Sequence, residues 1–243
     1  MGARAGVLDR QRIDFGGAVA YTRRPMSALS GSLSYARFYA APPGAEGRAL
    51  PRGFLDRSHE KIVHHAMRPL VADEPDAERS GWCVLGDPLD VSLPRERIYL
   101  DGYLNLGFRT DRWAIPGPLL RTKVRQAEAA YLEKKGRERL GRRERAEIKE
   151  VVTRELRKKL VPSTRVVDLS WSLEEGVVRF FSHTERATLA MIDLFQRTFG
   201  IELVPESPYT LAARLGLGEE EAQAWEALEP TELTPRGGKA GAR

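Results

Sequence analysis

"RVVDLSWSLEEGVVRFFSHTERATLAMIDLFQRTFGIELVPESP" occupies residues 165–208, and its hydrophobic period changes twice along the way. "RVVDLSWSL" (165–173) and "VVRFFS" (177–182) are short, β-branched and aromatic runs on either side of Glu175-Gly176, the signature of two strands and a hairpin turn. "TERATLAMIDLFQRTF" then shifts to a helical period. Thr184 stands at the N-cap, Leu189, Ile192, Phe195 and Phe199 fall on one face, and Gly200 stops the helix. "IELVPESP" returns to a short strand ended by Pro205. Hairpin followed by helix, without βαβ alternation, reads as α+β: small antiparallel sheets with packed helices.

Working back toward the N-terminus, "SLSYARFYA" (32–40) alternates through Leu33, Tyr35, Arg37 and Tyr39 as a strand does, and "APPGAEGRALP" breaks it. "RGFLDRSHEKIVHHAMRPL" (52–70) sets Phe54, Leu55, Ile62, Met67 and Leu70 at spacings compatible with one helical face ended by Pro69. An acidic turn, "DEPDAERSG", precedes the apolar run "WCVLG", read as a strand entered through Gly81. "RIYLDGYLNLGFRT" (97–110) alternates through Ile98, Leu100, Tyr103, Leu104, Leu106 and Phe108, with Asp101-Gly102 as a turn or bulge. Residues 1–31, rich in Gly, Ala and Arg, read as a flexible leader, and 209–243 as a short helix over "GEEEAQAWEALE" with a frayed tail.

From "WAIPGPLL" onward the pattern is helical, with Pro118 where a first turn tolerates it. Leu120, Val124, Ala127 and Tyr131 follow at steps of three and four. Ile148, Val152, Leu156 and Leu160 follow at steps of four, and Pro162 closes the run. Gly136 and Gly141 interrupt the centre, so residues 119–160 predict two helices, each about 27 Å long, forming a charged arm. The middle of that arm, "KKGRERLGRRERAEIKEVVTRELRKKL" (134–160), is mostly ionised.

The whole chain has a net charge of +5, and its distribution is uneven. Residues 121–159 hold 15 Lys and Arg against 7 Glu, or +8, leaving −3 for everything else. Glu133-Arg137, Glu138-Arg142, Glu150-Arg154 and Glu155-Lys159 stand at i,i+4, each such pair being worth about 0.2–0.5 kcal/mol to an isolated helix. They leave most of the cations without a partner, and an excess of one sign repels itself unless a counter-charged partner relieves it. Solvated helices remain the competing reading.

Catalytic motifs are sparse. "HEKIVHH" misses the zinc-protease pattern because Val63 sits four residues after His59, while His64 and His65 come five and six after it. The single cysteine, Cys83, lies in an apolar run, where it acts as a small hydrophobe, and it excludes an internal disulfide; a reducing cytoplasm is the expected setting. There is no phosphate-binding glycine loop and no nucleophile elbow. No apolar run has the length of a signal-peptide core or of a membrane span. Neither an enzyme nor a metal or cofactor site is expected.

A nucleic acid is the obvious polyanion. The arm has one aromatic, Tyr131, which argues against base stacking on single strands, and it lacks the known reading heads for sequence. Phosphate contacts without sequence preference are expected from Arg121, Lys123, Arg125, Lys134, Lys135, Arg137, Arg139, Arg142, Arg143, Arg145, Lys149, Arg154, Arg157, Lys158 and Lys159. The rival is a protein-interaction module whose arm docks an acidic partner or a second copy; a nuclease would need acidic metal ligands that the strands do not supply.

The order of elements from about residue 32 to residue 208 resembles the RdgC family of bacterial recombination-associated proteins. The similarity is carried by "LSYARFY", the Gly81-Trp82 step, the "IPGPLL" break, "ERAEIKEVVTRELRKKLVP", the hairpin bearing Trp171 and, above all, the helix ending "FGIELVPESP". Members of that family continue well beyond the matched region. The resemblance implies a non-catalytic, sequence-independent double-stranded DNA-binding protein of the bacterial nucleoid. It further implies a homodimer closed into a ring around DNA that restrains RecA-promoted strand exchange.

Overall fold

The computed structural model describes residues 34–41, 53–215 and 218–228. The expected leader, Leu33 and the tail beyond residue 228 lie outside them. The elements are, in order, β1 (Ala36–Ala41), α1 (Phe54–His64), β2 (Glu78–Cys83), the single turn α2 (Arg95–Ile98), β3 (Tyr99–Leu100) and β4 (Tyr103–Arg112). Then follow α3 (Gly117–Lys135), α4 (Arg142–Arg157), β5 (Ser163–Ser172), β6 (Val177–Phe180), α5 (Glu185–Phe199), β7 (Glu202–Pro205), α6 (Pro208–Leu215) and α7 (Glu219–Glu226).

The protein is α+β, as its sequence predicts. The strands, however, join one antiparallel sheet in the order β2-β4-β5-β6-β1-β7, with β3 paired to β4, rather than several small ones. The merger follows from length. β4 and β5 pair over ten residues, from Tyr103–Ser172 to Arg112–Ser163, which gives each a free edge for a further neighbour. Both turns flagged in the sequence are present. Asp101 and Gly102 take φ of 47° and 80°, the left-handed pair of a tight hairpin, and Gly176 takes φ of 67° after β5.

One face of the sheet carries the core. Trp82, Leu104, Leu106, Phe108, Val167, Leu169, Trp171, Val178 and Phe180 project toward α1 and α5, meeting Ile62, Met191, Leu194, Phe195 and Phe199. Aromatic rings dominate the contact: Phe195 and Phe199 lie 4.5 Å apart between ring centres, and Trp171 lies 5.1 and 5.2 Å from them. The indole N–H of Trp82 donates to Thr198 Oγ1 at 2.9 Å, and that hydroxyl donates to the Leu194 carbonyl, so neither polar group is buried unpaired.

The helical faces differ from the sequence reading in register. On α5 the buried set is Met191, Leu194, Phe195, Thr198 and Phe199, while Leu189 is 60% exposed. On α1 only Ser58 and Ile62 are buried and Leu55 points outward; Met67 and Leu70 are buried but lie past the helix end. Likewise Leu100 and Tyr103 face solvent because the turn between β3 and β4 occupies those pleat positions. α6 was not anticipated: its eight residues, opened by Pro208, are too few for periodicity to stand out.

The chain after α1 closes the outer edge of β2. Met67 N–H donates to the Trp82 carbonyl at 2.8 Å, and Trp82 N–H donates to the His65 carbonyl at 3.0 Å. This requires glycine at 81, since a Cβ there would sit 2.5 Å from Met67 Cα and 2.7 Å from Met67 N. Gly81→Ala is therefore expected to cost about 1–3 kcal/mol through forced overpacking, read as a Tm lower by roughly 2–4 °C for each kcal/mol. An unchanged Tm would show that the edge relaxes freely.

Candidate nucleic-acid interface

The charged arm is the connection between β4 and β5. The two strands are antiparallel neighbours, so their connection can leave and return side by side, and α3 and α4 do so as an antiparallel pair. Pro116 and Pro118 start α3, and Gly136, in the left-handed conformation at φ 62°, ends it. The expected apolar stripes meet: Ala127 and Tyr131 share a groove of about 350 Å³ with Ile148, Val151 and Val152. That seam is thin. α3 has no buried residue, α4 has only Leu156, and Val151 remains 54% exposed.

Glu144 ties the tip together. Its carboxylate accepts from the Gly141 N–H at 2.8 Å, from Arg137 Nη1 at 2.8 Å and from the Tyr131 hydroxyl at 3.4 Å, joining α3, the connecting turn and the first turn of α4. The Gly141 N–H, followed by Arg137 and Tyr131, holds its carboxyl below the usual carboxylate range. A lowered folded-state value means that this contribution is complete above the ordinary glutamate pKa and is lost as pH falls through the lowered one. Sequence offers a signal for this residue: a glutamate three positions after a helix-starting glycine is half of a capping box.

Arg157 fixes the root. It donates to the Glu74 carbonyl at 2.6 Å and to the Pro75 carbonyl at 3.4 Å, with its guanidinium carbon 6.0 Å from the centre of the Trp113 ring. Lys158 pairs with Asp73 at 3.3 Å and with Glu155 at 3.2 Å. The acidic turn that supplies these acceptors is itself held by Arg79, which binds Glu74, Asp76 at 2.7 Å and the Pro69 carbonyl at 3.1 Å.

The ion pairs of the arm differ from those that i,i+4 spacing predicts. Of the four expected pairs, only Glu150–Arg154 forms, at 3.1 Å. Arg137 lies past the end of α3 and Glu138 lies in the break before α4, so neither Glu133-Arg137 nor Glu138-Arg142 sits on one helix; Arg137 pairs with Glu144 instead. Lys159 falls beyond the last helical residue, and Glu155 pairs with Lys158. Arg143–Glu147, at 3.1 Å, is an additional pair.

What remains is sorted by face. Arg143, Glu147, Glu150 and Arg154, at steps of four, three and four, make a self-neutralised stripe along α4. Arg142, Arg145 and Lys149, at steps of three and four, make a second stripe, and among the described residues none of them has a carboxylate partner. Arg121, Lys123, Arg125, Lys134, Lys135, Arg139 and Lys159 are also exposed and have no carboxylate partner among the described residues; Lys123 donates to Gln126 Oε1 at 3.3 Å. Ten of the fifteen expected contact residues thus present an uncompensated charge to solvent. Arg137, Arg143, Arg154, Arg157 and Lys158 are engaged within the protein.

Three of the four histidines lie on α1 and its C-cap, with the His64 and His65 rings 5.1 Å apart. His59 contacts the Leu93 carbonyl at 3.0 Å, His65 Nδ1 the Lys61 carbonyl at 2.9 Å, and His183 the Ser34 hydroxyl at 2.6 Å. Among the described residues, no three His, Cys, Asp or Glu side chains are grouped to hold a metal ion. Cys83 is buried beside the Gly107 carbonyl, and burial pushes its thiol up to about 12, far from thiolate chemistry. Among the described residues, no helix is long and apolar enough to cross a membrane.

No protein-family model and no curated protein matches this chain. The anchoring of the arm can be measured directly. Arg157→Ala removes charge-assisted hydrogen bonds worth about 1.5–3 kcal/mol each, so hydrogen exchange across 117–157 should accelerate while the β4 and β5 amides stay protected. Equal acceleration in both would make Arg157 a global rather than a local support.

Proposed function

We propose that this protein holds duplex DNA by its phosphates, without sequence preference and without catalysis, along the α3–α4 arm. The observation that carries the reading is the unpaired stripe of Arg142, Arg145 and Lys149 beside a stripe that neutralises itself. A helix charged only for solubility has no need to segregate its uncompensated cations on one side, whereas a phosphate backbone does. Half of the ten uncompensated cations are arginines, whose planar fork suits phosphate oxygens. The arm lacks aromatic platforms for single strands, which favours duplex.

The resemblance to RdgC proteins supports the same reading and extends it to a homodimer acting in RecA-dependent recombination or replication at the bacterial nucleoid. A second reading rests on the half-open groove around Val151: the arm pairs with a second copy and the charge only keeps it soluble. DNA binding separates the two.

About five arm phosphate contacts contribute a log–log salt slope near −4.5 to duplex binding. Arg142→Glu with Arg145→Glu and Lys149→Glu should abolish binding of a random 30-base-pair duplex, measured by fluorescence anisotropy, with the circular dichroism spectrum unchanged. Arg143→Gln, Glu147→Gln, Glu150→Gln and Arg154→Gln together, which remove the self-neutralised stripe without changing the net charge, should leave affinity within about twofold. Undiminished binding by the triple variant would refute the placement.

A further inference from the structure

The strands overrun the helix that covers them at the end where the arm begins. Three cross-strand rows on the α5 face show it. Trp82, Phe108 and Val167 form an apolar row. Next outward come Ser80, Thr110 and Arg165, and then Glu78, Arg112 and Ser163. The pleat keeps all three rows on one face, so the side that builds the core becomes hydroxylated and then charged within two steps. The outer two rows, except Ser80, enclose with Phe108 and the first two turns of α5 a recess of about 220 Å³.

Its charge is unbalanced in the same way as the arm's. Glu78 is the carboxylate of the recess: it accepts from Arg186 at 2.6 Å and lies 3.9 Å from Arg112, while Arg165 meets only the Thr184 hydroxyl, at 3.4 Å. Two guanidinium groups therefore share the one carboxylate, and the third, Arg165, has no carboxylate partner among the described residues. The side chains of Arg112 and Arg186 are 60% and 67% exposed, so neither is committed to packing. The recess also lies at the arm's root, since the chain departs for α3 after Arg112 and returns at Ser163.

We infer that this recess is a second phosphate site, in which Arg112, Arg165 and Arg186 take a phosphodiester group of the duplex that the arm holds. The inference rests on the proposed function above. Guanidinium forks bind phosphate oxygens in pairs, and the Ser163 and Thr110 hydroxyls add neutral donors of the kind that fix a backbone in register. Glu78 occupies the position of the anion while the site is empty, keeping the arginines apart and oriented.

The test is duplex anisotropy across salt concentrations for two variants. With Arg112→Gln, Arg165→Gln and Arg186→Gln together, the salt slope should become shallower by about 0.9, the increment for one phosphate neutralised. Glu78→Gln should instead tighten duplex binding several-fold, a gain that an unfolded variant cannot imitate. If the wild type binds steeply, the triple variant keeps its slope and Glu78→Gln fails to tighten, the recess is no phosphate site and the arm alone carries the DNA. If the wild type does not bind duplex, the proposed function falls and this inference falls with it. If the triple variant fails to fold, Glu78→Gln decides alone.

Discussion

Ten consecutive residue pairs zip β4 to β5, and both the core and the arm depend on that ladder. One face supplies Leu104, Leu106, Phe108, Val167, Leu169 and Trp171 to the aromatic core. The ends of the same two strands define where α3 leaves and α4 returns. Fifty residues lie between Arg112 and Ser163, yet closing a longer connection adds only about 0.6 kcal/mol per doubling of its length. Two helices folded back on each other turn that connection into a projecting rod. The sheet registers the arm, and the arm costs the sheet little.

The rod is weakly self-supporting. With Leu156 as the one buried residue of the two helices, apolar burial cannot hold it firmly, and polar ties take over at both ends. Glu144 gathers three donors at the tip, while Arg157 spans two carbonyls and an indole ring at the root. Five of the basic residues are used in this way or in pairs along the helices. Arg137, Arg157 and Lys158 tie the rod at its tip and root, whereas Arg143 and Arg154 only neutralise acids along α4.

A modest net charge therefore conceals a polarised molecule. The opposite face of the sheet is different in character: Arg109 is paired with buried Asp111 at 2.6 Å and donates to the Pro88 carbonyl at 2.9 Å, so its charge is absorbed locally. Screening over about 8–10 Å at physiological ionic strength makes such local balance decisive, because distant acids do little to offset an exposed cationic stripe.

The sequence by itself determined most kinds of element, although the strand read at 82–86 lies at Glu78–Cys83 and the run from Arg97 opens inside the helical turn α2. Period two marked β4 to β6, period 3.6 marked α3 to α5, and Gly136, Gly176 and Gly200 ended elements where positive φ was needed, because these are local preferences of backbone and side chain. It also located the positive segment. Only the tertiary structure decided that the strands form one sheet, that Leu189 faces water while Met191 is buried, and which cations remain unpaired. Spacing misassigned the pairs of Arg137, Arg142 and Lys159 because i,i+4 contact presumes an unbroken helix, and the breaks fell between the partners. Arg112, Arg165 and Arg186 are distant in sequence and carry no shared pattern. They meet because strand register and the position of one helix end bring them together, and those are properties of packing rather than of any local stretch.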